Sequence, residues 1–191
     1  MKLIPTSLPG VVLVEPAVFA DERGWFMESW QQAKFDAALR ELGLPAPRPF
    51  VQDNHSCSAR GVLRGLHYQL PPHAQGKLVR VTRGAAFDVA VDIRRGSPSF
   101  GQWTGAVLSA DNRRQLWVPE GFAHGFLALE DDTHFLYKTT DVYARDCERA
   151  LRWDDPAIGI DWPLHGLAPR LAAKDAQAAR LAEADLPGFG G

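Results

Sequence analysis

Nine short segments of strand-like sequence, cut apart by Gly and Pro, constrain this chain more than anything else in it. They are Val11–Pro16, Phe50–Ser58, Val62–Gln69, Lys77–Arg83, Phe87–Ile93, Trp103–Ser109, Arg114–Val118, Ala123–Leu129 and Thr133–Asp141. In the clearest of them Phe87, Val89, Val91 and Ile93 alternate with Asp88, Ala90 and Asp92. That period of two is the repeat of a β-strand. Arg94-Arg95-Gly96-Ser97-Pro98 then supplies turn chemistry. Many short strands with turns at near-regular spacing predict an all-β sandwich or barrel.

Helix is expected in two places. Ser29-Trp30-Gln31-Gln32 has the form of a capping box. Phe35, Ala38, Leu39 and Leu42 follow at helical spacing, and Gly43 with Pro45 closes the run. An Ala-dense stretch near Lys174–Glu183 predicts a second helix, within a helical C-terminal segment of about 170–186. Pro187-Gly188-Phe189-Gly190-Gly191 reads as a frayed tail.

Composition narrows the function. With 191 residues, 46% hydrophobic and 23% charged, the chain is expected to be one soluble domain, 1–191. A net charge of −2 provides no basic field, so nucleic acid is not an expected partner. A few local arginines still suffice for a small anionic ligand. MKLIPTSLPG interrupts its short apolar run with Pro5 and Pro9, unlike a signal peptide, and no run approaches the length of a membrane helix. Cys57 and Cys147 read as free thiols of a reducing cytoplasm.

Three motifs concentrate the chemistry. GVLRGLHYQLPPHAQGK, Gly61 to Lys77, holds Arg64, His67 and Lys77 in a largely apolar setting. VPEGFAHGF adds His124, and LYKTTDVY adds Tyr137 and Tyr143. A lone strand histidine most often just satisfies its own hydrogen bonds. Here neighbouring positive charge favours a neutral imidazole, which can accept a proton near pH 7. A lysine starting a strand is usually a surface group, but inside a pocket its ammonium can stabilise an oxyanion. Tyr137 shares a strand face with Phe135 and Thr139. Its phenol, with an ordinary pKa near 10, keeps its proton at neutral pH and can serve as an acid, unless it is a core tyrosine bonded elsewhere.

Taken in order from about Asp21 to Asp175, these motifs resemble the dTDP-4-dehydrorhamnose 3,5-epimerase family of the cupin superfamily. The resemblance implies a jelly-roll β-barrel, which strand spacing alone does not select over other all-β folds. It implies that His67 is the base and Tyr137 the proton donor. Lys77 lies near the keto oxygen, and Asp175 pairs with the base and orients it. It also implies substrate contacts at Arg23, Glu28, Gln52, Asn54, Arg64, His124, Tyr143, Glu148 and Lys174, with Tyr143 stacking on thymine. The substrate is then a dTDP-4-keto-6-deoxy sugar, inverted at C3 and C5 for dTDP-L-rhamnose synthesis without a cofactor. The family is dimeric, with N-terminal strands reaching into the partner, so Arg23 and Glu28 are expected to serve the other subunit's site.

Two departures from the family are small: Trp25 stands where Phe is common, and Cys57 lies within QDNHSCS. Three other functions remain open on sequence. One is an epimerase inverting a single carbon. Another is a metal-dependent cupin oxygenase, against which Gln69 stands where a metal-binding first motif has its second histidine. The last is a cupin that only binds sugar, for which His67, Lys77 and Tyr137 would have no reason to coincide.

Overall fold

In a computed structural model, residues 1–189 are described. Thirteen strands and two short helices follow in chain order. They are β1 (Lys2–Pro5), β2 (Val12–Glu15), β3 (Val18–Asp21), β4 (Gly24–Met27), α1 (Gln32–Glu41), β5 (Gln52–Ser58), β6 (Leu63–Gln69) and β7 (Lys77–Arg83). Then come β8 (Ala85–Asp92), β9 (Trp103–Ser109), β10 (Gln115–Val118), β11 (Phe122–Ala128), β12 (Thr133–Thr139), β13 (Glu148–Ala150) and α2 (Ala173–Ala176).

Six strands form one sheet in the order β1-β2-β10-β7-β12-β5, and five form another in the order β13-β6-β11-β8-β9. From β5 to β12 the chain crosses between the sheets at every connection except the β8–β9 hairpin, which makes the jelly roll. Nine of the strands fall on the nine expected segments. The sequence reading did not include β1, β13, or the separate two-stranded ribbon β3–β4.

Three apolar layers hold the barrel. Its interior packs Val79, Val81, Leu108, Leu116, Phe126 and Phe135 from facing strands. Outside the six-stranded sheet, α1 buries Phe35 and Leu39 against Val12, Val14 and Trp117. Each such side chain is worth roughly 2 kcal/mol of burial. Outside the five-stranded sheet, the C-terminal segment lays Ile158, Trp162, Leu181 and Leu186 over Val89, Val91 and Ile93. Both faces of β8 are therefore covered, and Asp88 and Asp92 are fully buried.

Local details differ from the sequence reading at three places. Gln31, not Ser29, caps α1: its side chain accepts from the Lys34 amide at 2.6 Å. The Ser29 carbonyl is instead taken by the Gln115 side-chain amide at 2.9 Å. The C-terminal helix is confined to Ala173–Ala176 and gives way to turns, because residues 179–186 bond and pack onto the barrel rather than onto their own backbone. Pro187–Phe189 does not fray: Arg95 donates to the Pro187 carbonyl and accepts from the Phe189 amide, at 2.8 and 2.9 Å. Gly190 and Gly191 of that tail lie outside the described residues.

Candidate active site

A cleft of about 620 Å³ opens between the two sheets. Its walls include His67, Lys77, Tyr137, Asp175, Asn54, Arg64, His124, Tyr143, Glu148 and Lys174. Gln52 lines an adjoining recess with Tyr137 and Tyr143. A larger groove, about 780 Å³, lies elsewhere on the barrel against Pro9, Pro45, Trp117 and Phe122. It shares no lining residue with the cleft. Its carboxylate, Glu120, is paired with Arg48 at 2.8 Å, and no histidine, lysine or tyrosine lines it, so the site is assigned to the cleft.

A bulge in β6 makes the constellation possible. His67 pairs with His124 of β11, but Arg64 pairs with Phe126, so β6 carries one residue more than its partner. In a regular strand residues three apart point to opposite faces. The extra residue brings Arg64 and His67 to the same cleft. The bulge needs glycine: Gly65 has φ +131°, and a Cβ there would meet the Gly125 Cα at 2.6 Å and the His124 carbonyl at 2.9 Å.

Asp175 reaches His67 across 108 residues of sequence. Its Oδ1 lies 2.6 Å from His67 Nε2, and its Oδ2 accepts from the Gly65 amide at 3.4 Å. Burial pushes the Asp175 carboxyl up, but the hydrogen bond and charge of His67, the Gly65 amide and Lys174 outweigh it and hold it below its usual range. An ionised carboxylate only accepts, so Nε2 carries the hydrogen and Nδ1 is the nitrogen free to take a proton.

Lys77 is 8% exposed at the start of β7, and its ammonium donates to the His67 carbonyl at 3.1 Å. Burial pulls it down to about 8, while Asp88 and Glu148 resist. Tyr137 projects from β12 over a floor made by Phe126 and Phe135, whose rings stack 4.0 Å apart. Burial raises its phenol further above the ordinary value, so the proton stays on oxygen. His124 gives Nε2 to Asp88 Oδ1 at 2.8 Å. Burial raises Asp88, opposed by His124 and Lys77, and its Oδ2 has no hydrogen-bond partner.

At the mouth, Arg64 donates to the Ser58 hydroxyl and the Cys57 carbonyl. Tyr143 is exposed, and its position is fixed by Gln52, which accepts from its amide at 3.0 Å, and by Glu148, which accepts from its hydroxyl at 3.1 Å. Glu148 also binds Lys174 at 2.9 Å. Burial pushes Glu148 up, but Lys174, Tyr143 and His67 together hold it low.

Arg23 and Glu28 do not enter this cleft. Arg23 sits at the turn of the β3–β4 ribbon, its side chain 85% exposed and paired with Asp21 at 2.6 Å. Glu28 pairs with Lys34 at 2.8 Å. The sequence reading also missed three contributors. Asp88 was legible in principle, since it shares a face of β8 with the small Ala86 and Ala90 while Val89 and Val91 mark the other. Arg170 and His55 line the cleft but carry no local signal.

A family profile described as dTDP-4-dehydrorhamnose 3,5-epimerase matches residues 5–183. The chain belongs to this family. It is 57% identical to a Pseudomonas aeruginosa protein of that name over 97% of this chain and 98% of the relative. A Shigella flexneri protein of the same name is 53% identical, with the same coverage. Among solved structures, a Legionella pneumophila dTDP-6-deoxy-D-glucose-3,5-epimerase in complex with dTDP-4-keto-L-rhamnose aligns with a TM-score of 0.91. It is 47% identical and covers 100% of this chain and 99% of its own.

Proposed function

We infer that the chain is a dTDP-4-dehydrorhamnose 3,5-epimerase. It converts dTDP-4-dehydro-6-deoxy-D-glucose to dTDP-4-dehydro-L-rhamnose, a step of rhamnose biosynthesis. The observation that carries the mechanism is the placement of a held base and a protonated phenol on opposite walls. His67 stands on β6 of the five-stranded sheet, and Tyr137 on β12 of the six-stranded sheet. A sugar ring between them meets a base on one face and an acid on the other, which inversion demands.

The 4-ketone acidifies the hydrogens at C3 and C5. His67 Nδ1 takes the proton, and the C–H electrons pass through the new C=C bond to the carbonyl oxygen as an enolate. Lys77 stabilises that oxyanion, and so does His124 with a hydrogen on Nδ1 while Nε2 stays on Asp88. Asp175 stabilises the imidazolium that forms. Tyr137 returns a proton to the opposite face at C5 and is reprotonated from solvent; solvent supplies the proton at C3, and the imidazolium releases its proton to solvent before the second abstraction. These side chains supply base, acid and oxyanion partner, so the reaction runs without a cofactor.

Tyr143 stacks on the thymine, Arg64 binds diphosphate, and Gln52, Asn54, Glu148 and Lys174 complete the nucleotide contacts. The whole chain acts as one domain, because its C-terminal segment supplies Asp175. It works as a homodimer in which the β3–β4 ribbon carries Arg23 and Glu28 to the partner's cleft. The exposure of Phe19, Trp25 and Phe26 on that ribbon supports this assembly. The free thiols Cys57 and Cys147 favour a cytoplasmic location.

The test is incubation with the dTDP-4-keto sugar in deuterated water, followed by NMR at C3 and C5. Deuterium at both carbons with the L-configured product is expected. Exchange confined to one carbon would instead make this a single-carbon epimerase.

A further inference from the structure

The mouth of the cleft has one guanidinium without an assigned role. Arg170 lines it beside Arg64, Tyr143 and Lys174. Its backbone is fixed rather than loose: Arg170 donates to the Gly61 carbonyl at 2.8 Å, and its own carbonyl accepts from Leu63 at 3.0 Å. These bonds form a parallel bridge between Val62 and Arg170. Paired residues of a bridge point to the same side, and so does the residue two along a strand. The bridge thus sets Val62, Arg64 and Arg170 on one side, and all three line the cleft.

The charges at the mouth do not balance within the chain. Lys174 is neutralised by Glu148 at 2.9 Å, and Asp175 is committed to His67. Lys77 is buried and bonded to the His67 carbonyl. Arg64 donates only to a hydroxyl and a carbonyl, neither of them charged. Among the described residues, Arg170 has no carboxylate partner. Two guanidiniums on one face thus await anionic oxygens.

We propose that Arg170 is a second diphosphate-binding residue, acting with Arg64 on the bridge between nucleoside and sugar. This rests on the nucleotide-sugar substrate inferred above. A diphosphate diester carries two negative charges, and a guanidinium fork can give each phosphate two donors. Arg64 approaches from the inner strand β6. Arg170 approaches from the C-terminal segment that crosses the mouth.

The experiment is calorimetric titration of the full chain with dTDP and, separately, with thymidine, at two salt concentrations. Wild type, Arg170→Ala, Arg170→Lys and Arg64→Ala are compared, each first checked for an unchanged thermal midpoint. Arg170→Ala is expected to weaken dTDP about tenfold and to flatten its salt dependence, with thymidine affinity unchanged. Arg170→Lys should recover part of the loss. If Arg170→Ala binds dTDP like wild type while Arg64→Ala does not, the nucleotide site stands and the role of Arg170 is overturned. Equal losses for dTDP and thymidine would overturn it too, since they would report cleft shape rather than phosphate charge. Failure of wild type to bind dTDP would remove the nucleotide-sugar substrate itself.

Discussion

Lys77 offers a prediction whose size follows from its surroundings. Burial lowers its ammonium from 10.5 to about 8. That difference, about 2.5 pH units at 1.36 kcal/mol each, amounts to about 3 kcal/mol disfavouring the charged form in the folded state. If the ammonium stabilises the enolate, kcat/KM should fall about tenfold per pH unit above roughly pH 8. Lys77→Met should be slow and should lack that alkaline limb.

The same shift makes a stability claim. The folded pKa lies below the unfolded one, so between about pH 8 and pH 10 the folded state binds fewer protons. Stability relative to Lys77→Met should rise with pH across that window. Below pH 8 the full cost is present, and the Met variant should be the more stable, by up to about 3 kcal/mol less the lost bond to the His67 carbonyl. The assays are a pH–rate profile and urea unfolding of both proteins at pH 7, 8, 9 and 10. A limb near pH 8 that persists in Lys77→Met, or a stability difference independent of pH, would refute the reasoning.

Three further outcomes are expected. Tyr137→Phe should keep His67-dependent deuterium exchange but lose inversion at C5, read from deuterium content and ring coupling constants in one NMR sample. Tyr143→Ala should weaken dTDP binding by about 1–3 kcal/mol, by analogy with aromatic–base stacking, as measured by calorimetry. Gly65→Ala sets a Cβ against the Gly125 Cα and the His124 carbonyl at a positive φ, so it should cost roughly 2–4 kcal/mol in urea unfolding. Because the bulge aims both Arg64 and His67, the fraction that still folds should also lose turnover.

Most strands of the barrel were legible from apolar residues bounded by turn signals, clearest at period two in Val89, Val91 and Ile93, although β5, QDNHSCS, has no such face. The β3–β4 ribbon was not, since Phe19, Trp25 and Phe26 are exposed and join none of the apolar layers of the barrel. A capping box at Ser29 failed because the chain is still extended at Gln31, whose own side chain caps the helix, while Gln115 holds the Ser29 carbonyl in a contact no local pattern encodes. In the site, residue chemistry alone could nominate His67, Lys77 and Tyr137. That Arg64 joins them depends on one inserted residue at Gly65, and periodicity would have turned it away. Asp175 looked like a solvated helix-start carboxylate, and only the family resemblance linked it to His67. Asp88 could be placed inside the barrel only by its small neighbours Ala86 and Ala90, because the C-terminal segment that buries the valine face of β8 leaves no mark within the strand.

That segment has a consequence for when the catalyst comes into being. The strands that carry base, acid and lysine are complete by Thr139, yet the carboxylate that holds His67 Nε2 arrives at Asp175. If Asp175 orients His67 as proposed, the base is set only after that last stretch has docked. The cleft is thus completed by residues near the end of the chain, long after the strands that form its walls.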